Sequence, residues 1–383
     1  MSIRQYNLGS IVKPGFNPLG AQTTTYNYYL YSWGLNAQGQ LGLNNTTNYS
    51  SPKQIGSLST WLTITTCYRT VHAIKADGTL WAWGQATSGA LGNGTTAPNI
   101  SSPIQIGALT NWATVSNAES SSAAIKTDGT LWTWGINNYG QLGNGSTAYT
   151  SSPAQVGALT NWSKVSGGSG SFISIKTDGT LWTWGRNLFG QLGIGNTTNY
   201  SSPKQVGSLT TWATIFAGQG HCGAVKTDGT LWIWGRNTNG QIGIGNTTQY
   251  NSPKQVGALT TWLTMSAGNY STYGITTAGA LWSWGNNRDG QLGLTNRTYY
   301  SSPKQIGALT NWLAISGGFY FCGATKTDGT LWTWGRNGNG NLGLNNTTYY
   351  SSPKQVGSLT TWGSPECTLI GSPSSISMFA SLF

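Results

Sequence analysis

The chain has 383 residues, 12% of them aromatic and only 7% charged, with 55 glycines and a formal net charge of +11. So many large rings exclude a disordered polymer, which lacks the apolar side chains that offset the cost of ordering. A run of about 18 apolar residues is absent, so no membrane span is expected. The opening segment, MSIRQYNLGSIVKPGFNPLG, has neither an apolar stretch nor a small-residue cleavage motif and is read as no secretory signal.

The basic residues form rings rather than a block. Lys53, Lys204, Lys254, Lys304 and Lys354 share one position of an internal repeat. Lys75, Lys126, Lys176, Lys226 and Lys326 share a second, and Arg186, Arg236 and Arg336 a third. Charge spread in this way sets solubility and leaves room for weak attraction to an anionic surface, with no specific nucleic-acid site expected. Four cysteines make no disulfide framework: Cys222 and Cys322 hold one repeat position two units apart, and Cys67 and Cys367 could meet only where the chain ends meet. With His72 and His221 as the two histidines, neither a metal site nor a cofactor is expected.

In chain order, residues 1–25 match no repeat and form an arm. Its apolar residues Ile11, Val12, Phe16 and Leu19 are candidates for docking onto a neighbouring subunit, the alternative being that the arm packs back on its own ring. Residues 26–383 are repetitive. Trp-Gly pairs begin at Trp33, Trp83, Trp134, Trp184, Trp234, Trp284 and Trp334, spaced by 50 or 51 residues. All 20 tryptophans occupy three repeat positions. One follows a Leu-Thr or Ser-Thr segment (Trp61, Trp112, Trp162, Trp212, Trp262, Trp312, Trp362), and two lie in a W-x-W-G tetrad whose one vacancy is Tyr31. A residue this bulky confined to repeat positions belongs to the scaffold.

Within the unit starting at Ser151, segments of five to eight residues rich in β-branched and aromatic side chains alternate with Gly, Pro and Asn, a strand pattern. Asp178-Gly179 supplies a hairpin turn between Ile175-Lys176-Thr177 and Thr180-Leu181-Trp182. Alternation puts Trp182 and Trp184 on one face of their strand. A four-stranded sheet with two apolar faces cannot bury both alone, so copies stack and the stack closes. The expected fold is an all-β, seven-bladed β-propeller with four-stranded blades. Tyr28 to Gly34 supplies a lone W-G strand. Trp362, Leu369-Ile370-Gly371 and Ile376 to Phe379 supply unmatched strands at the other end. One composite blade, closed by N- and C-terminal strands, is therefore expected.

The run W-G-R-N-x-x-G-Q-L-G from Trp184 to Gly193, followed by S-S-P-x-Q-V, V-S-G-G and K-T-D-G-x-L-W-x-W-G, resembles the regulator of chromosome condensation repeat family over residues 26–383. The resemblance implies a seven-bladed propeller. It does not transfer one activity, because a fold of this kind hosts several. Low charge, near-identical units and the short arm also resemble products of phages infecting marine cyanobacteria.

Residues that break the repeat are the candidates for function. The loops after the V-S-G segment bring Tyr68, Arg69, Phe172, Tyr270, Phe319 and Tyr320 to one face, an aromatic and arginine composition typical of binding hot spots. Leu188 and Phe189, inside W-G-x-N-x-x-G, form a candidate secondary contact. The recurring Tyr200, Tyr250, Tyr300 and Tyr350 read as structural. No catalytic residues are assigned: Asp77, Asp128, Asp178, Asp228 and Asp328 all belong to D-G turns, and no histidine has a nucleophile and acid beside it in the repeat. The expectation is a non-enzymatic structural or binding propeller, as a phage virion component (tail, fibre or capsid surface) serving assembly or host attachment. Its partners would be other virion proteins or a host surface glycan or receptor. A soluble regulatory or inhibitory protein-binding propeller in the cytoplasm is the alternative, and a lectin the second alternative.

Overall fold

The computed structural model describes residues 29–57, 60–362 and 377–382. Six four-stranded antiparallel sheets follow one another, spanning residues 61–105, 112–155, 162–205, 212–255, 262–305 and 312–355, here blades 1 to 6. In blade 3 the strands Trp162–Gly167, Ser171–Lys176, Leu181–Gly185 and Tyr200–Gln205 lie in that order across the sheet. First strands of successive blades pack on one another, so they line the axis and the fourth strands form the rim. The second strand is buried along its whole length in blade 3.

The D-G turn forms as the sequence predicts. Asp178 accepts hydrogen bonds from the N–H and hydroxyl of Thr180 at 2.9 and 2.6 Å. Gly179 has φ +76°, and a Cβ there would lie 2.1 Å from the carbonyl oxygen of Thr210 in the linker to blade 4, so only glycine fits.

Neighbouring sheets are tied by the tryptophan that ends each tetrad. Trp184, fully buried, donates its indole N–H to the carbonyl of Gln141 in the preceding blade at 2.9 Å. Trp83, Trp134, Trp234, Trp284 and Trp334 make the same bond one sheet back. Trp33 donates to Asn341 at 3.0 Å, which joins the start of the described chain to blade 6 and closes the ring.

The expectation of seven four-stranded blades is corrected: the structure builds six. Tyr29–Gly34 pairs on one side with Tyr49–Gln54 and on the other with Ser377–Leu382, a three-stranded sheet. The physical reason is that this W-G strand has no D-G hairpin before it, so a strand 343 or more residues further along takes the place of the hairpin partner. The strand expected near Leu369-Ile370-Gly371 lies outside the described residues.

The second ring of lysines is absorbed into the scaffold. In blade 3 the ammonium of Lys176 sits 3.8 Å from the ring centre of Trp182 and 4.7 Å from that of Trp162. Lys75, Lys126, Lys226 and Lys326 are seated in the same way in blades 1, 2, 4 and 6. Burial holds Lys75, Lys126, Lys176 and Lys326 below the usual lysine range, and the nearby turn aspartate pulls the other way. The ring quadrupole offsets part of that desolvation, by about 0.5–2 kcal/mol per contact. The first ring behaves similarly: Lys204 lies 5.2 Å from Tyr200 and Lys254 5.1 Å from Tyr250.

Candidate functional site: an arginine–aromatic ladder

Each W-G pair ends the third strand beside the turn that joins the first and second strands. The residue after the glycine is stapled to that turn through its backbone: Arg186 N–H to Gly170 C=O at 2.9 Å, Arg236 to Gly220 at 2.7 Å and Arg336 to Tyr320 at 2.8 Å. Two loops that are separate in sequence therefore make one surface at one end of the ring. The D-G turns and the lysine seats occupy the opposite end of the same strands.

On this surface the side chains interleave across blade boundaries. The guanidinium of Arg186 lies 5.0 Å from the ring centre of Tyr139 (blade 2) and 5.9 Å from that of Phe189. Arg236 lies 4.7 Å from Phe189 (blade 3) and 4.6 Å from Tyr270 (blade 5), and donates to the Tyr270 hydroxyl at 3.3 Å. The order Tyr139–Arg186–Phe189–Arg236–Tyr270 thus crosses blades 2 to 5. Close approach at Phe189 is possible because Gly220 stands beside it. A Cβ on Gly220 would come within 2.8 Å of Phe189. At the next position Asn286 replaces arginine and is buried, its Oδ1 accepting from Gln291 at 2.8 Å, so the ladder stops there. A shorter group follows in blade 6: Phe319 and Tyr320 meet edge to face at 4.5 Å, and Arg336 lies 5.7 Å from Tyr320.

Each residue named from the sequence has a definite place. Tyr68 is 45% exposed in a tight turn, with φ +54°, and Arg69 lies 5.0 Å from its ring. Tyr270, Phe319 and Tyr320 are half-buried on the ladder face. Burial, then the neighbouring Tyr270, raises the Tyr320 hydroxyl above the ordinary tyrosine range. Leu188 is 57% exposed, whereas Phe189 is half-buried as a rung. Phe172 requires correction: it is 1% exposed and stacked on Trp184 at 5.7 Å, because it belongs to the fully buried second strand and not to the loop before it. Ile11, Val12, Phe16 and Leu19 lie outside the described residues. The sequence reading missed the pairing of Tyr139, Arg186 and Arg236 as one unit. Their signal was arginine following W-G in units where the adjacent loop holds an aromatic residue.

The two histidines are fully buried, His221 in blade 4 and His72 in blade 1. His221, under Arg236, is pushed down to about 3, by burial first and then by the Arg236 charge. His72 is pushed down to about 4 by burial, against hydrogen-bonding contacts to Leu91 and Asn117. Both are neutral at ordinary pH, and burial raises the Cys222 thiol to about 12, which leaves it inert as a nucleophile. Among the described residues no group of three or more His, Cys, Asp or Glu side chains is placed to hold a metal ion, and no helix is long and apolar enough to cross a membrane.

The family comparison agrees with this architecture. A model of the RCC1-like domain matches residues 23–267, and models of the regulator of chromosome condensation (RCC1) repeat match residues 264–291, 278–325 and 328–365. A stretch of 121 residues is 30% identical to the regulator of chromosome condensation of Xenopus laevis, covering 30% of this chain and 28% of that protein. Another of 128 residues is 30% identical to the E3 ubiquitin-protein ligase HERC2 of Homo sapiens, covering 31% of this chain and 3% of the ligase. The matched stretches are thus a minor part of these relatives. Among solved structures, human WBSCR16 superposes with a TM-score of 0.80 at 18% identity, over 93% of this chain and 98% of that one. Prp20p from Saccharomyces cerevisiae superposes with a TM-score of 0.80 at 18% identity, over 94% and 92%. At such identities the likeness is one of fold. With a family match over more than half its length, a ring of tetrad tryptophans and six four-stranded blades, the chain belongs to the RCC1-like domain family.

Proposed function

We propose that this chain is a protein-binding propeller without catalytic activity of its own, and that its partner docks on the ladder face. The observation that carries the reading is the Tyr139–Arg186–Phe189–Arg236–Tyr270 ladder. Its guanidiniums are held by aromatic faces and are not paired with carboxylates among the described residues, so they keep donors for a partner while losing little side-chain entropy on binding. Exposed Leu188 and Tyr139 beside them supply apolar contact. A partner surface with carboxylates set among apolar side chains complements this composition. Yeast Prp20p, whose fold this chain shares, is described by its binding to Gsp1p and histones, which supports a propeller used for protein contact.

The finer reading is a component of a phage virion, used for assembly or host attachment. It is supported by the low charge, the near-identical units and the apolar arm. A soluble regulatory propeller is the competing reading. Mass spectrometry of purified particles separates them, since absence from virions removes the first. A lectin is disfavoured because the tetrad-ending tryptophans are buried and lysines cover the tetrad-opening rings in five blades. For the docking surface, affinity capture is expected to yield one stoichiometric partner, retained by wild type and lost from an R186A/R236A double variant and from Y68A/Y270A. Unchanged capture by both variants removes the ladder face as the docking surface.

A further inference from the structure

Blade 5 differs from its siblings at one place. In blades 1, 2, 3, 4 and 6 the second strand ends in a lysine whose ammonium lies over two tryptophan rings, 3.4–4.0 Å from one centre and 4.7–5.2 Å from the other. The tetrad-opening tryptophan of each also donates its indole N–H to the turn threonine, as Trp182 does to Thr180 at 2.9 Å. In blade 5 all three polar partners are gone: Thr276 stands for the lysine, Ala278 for the aspartate and Ala280 for the threonine. The aromatic walls nevertheless remain. Trp262 and Trp282 meet at 6.4 Å and 71°, as do Trp212 and Trp232 at 6.4 Å and 85° in blade 4. The Trp282 Nε1–H is left buried and without an acceptor among the described residues.

The lysine seats of blades 3 and 4 open onto clefts. In blade 4 a cleft of about 380 Å³ is lined by Leu209, Trp212, Lys226, Trp232 and Pro253, and blade 3 has its counterpart of about 350 Å³. At the corresponding positions blade 5 has Leu259, Trp262, Thr276, Trp282 and Pro303. Only the lysine is exchanged among these, and a four-carbon stem with its charge is replaced by a short neutral side chain. The two ring faces that attract a cation in five blades face no lysine or arginine of the described chain in this one.

We propose that the seat between Trp262 and Trp282 binds the side chain of a lysine supplied by a partner protein. The ligand class is a primary alkylammonium on a flexible apolar stem, the group that this chain's own lysines present to the equivalent walls. The site lies at the D-G end of the ring, away from the ladder, so the two proposals stand or fall separately.

The test uses the full chain and Nα-acetyl-lysine methylamide as probe, read by the indole N–H resonance of Trp282, which the W282F variant assigns. Wild type is expected to show a saturable shift in the millimolar range. T276K, which gives blade 5 the seat of its neighbours and so preserves the fold, is expected to weaken binding at least about tenfold, equivalent to 1.4 kcal/mol. The uncharged Nα-acetyl-norleucine methylamide is expected not to shift the resonance. No saturable shift in wild type, equal binding by T276K, or equal binding of the norleucine probe would each overturn the proposal.

Discussion

Arg236 in blade 4 reaches across a blade boundary to Tyr270 in blade 5, 4.6 Å from its ring centre, and donates to its hydroxyl at 3.3 Å. Behind it lies His221, whose proton affinity the same guanidinium lowers. One side chain thus joins the exposed ladder to a buried titratable group.

Replacing this arginine separates the two effects. R236A is expected to cost roughly 1 kcal/mol of stability, the scale of a partly exposed cation–π contact. It should also raise the His221 pKa, since one of its two depressing causes is removed while burial stays. With two histidines in the chain, NMR titration of the imidazole resonances checks the direction, and the His72 signal serves as internal control.

Acid sensitivity follows from both histidines. Each has a folded value below the ordinary 6.5, about 4 for His72 and about 3 for His221. The unfolded chain therefore binds more protons as pH falls below 6.5. Stability from keeping the rings neutral is full above that pH and is lost progressively down to about 4 and about 3. At pH 5 the loss is roughly 2 kcal/mol per histidine. Urea midpoints at pH 7 and pH 5 should show it, and H72Q should reduce the difference between the two.

The turn relay gives a paired expectation. T180V removes the acceptor of the Trp182 indole N–H and is expected to cost about 1–2 kcal/mol. A280T supplies the acceptor that Trp282 lacks and is expected to stabilise by up to about 1 kcal/mol. Thermal unfolding of the two variants should move in opposite directions.

Gly243 has φ +84°, and a Cβ there would lie 2.5 Å from the Trp284 Nε1. The indole bond from Trp284 to Gln241 links blade 5 to blade 4 at 2.9 Å. G243A should strain the backbone and displace that indole, at a cost of roughly 2 kcal/mol or more. Denaturant unfolding checks it against G257A, where nothing crowds the added methyl and only the positive φ is penalised.

Ring closure can be tested by truncation. Removing residues 377–383 strips one of the two partners of Tyr29–Gly34 along its whole length, leaving only Tyr49–Gln54. The exposed edge is expected to lower the unfolding midpoint and to promote concentration-dependent association, measurable by light scattering.

The sequence by itself determined what is local and repeated. The W-G spacing, the D-G turns and the confinement of tryptophan to three positions all encode a short-range rule: strand alternation, a glycine at positive φ, an Asp–Thr turn. The propeller was legible from these, and so was the structural role of the recurring tyrosines, each beneath a lysine. Tertiary structure decided the rest. Tyr139 and Arg186 meet only because the next blade packs one repeat along, and no pattern within a unit states that offset. Phe172 lies one residue past a turn boundary, and that single step puts it under Trp184 instead of in solvent. The number of complete blades depended on how Tyr29–Gly34 completed its hydrogen bonds, with Ser377–Leu382 and not with a hairpin of its own. The meaning of Thr276 emerged only once the lysines of five other blades were seen between their tryptophans: an ammonium finds its π-faces across strands, where sequence distance carries no information.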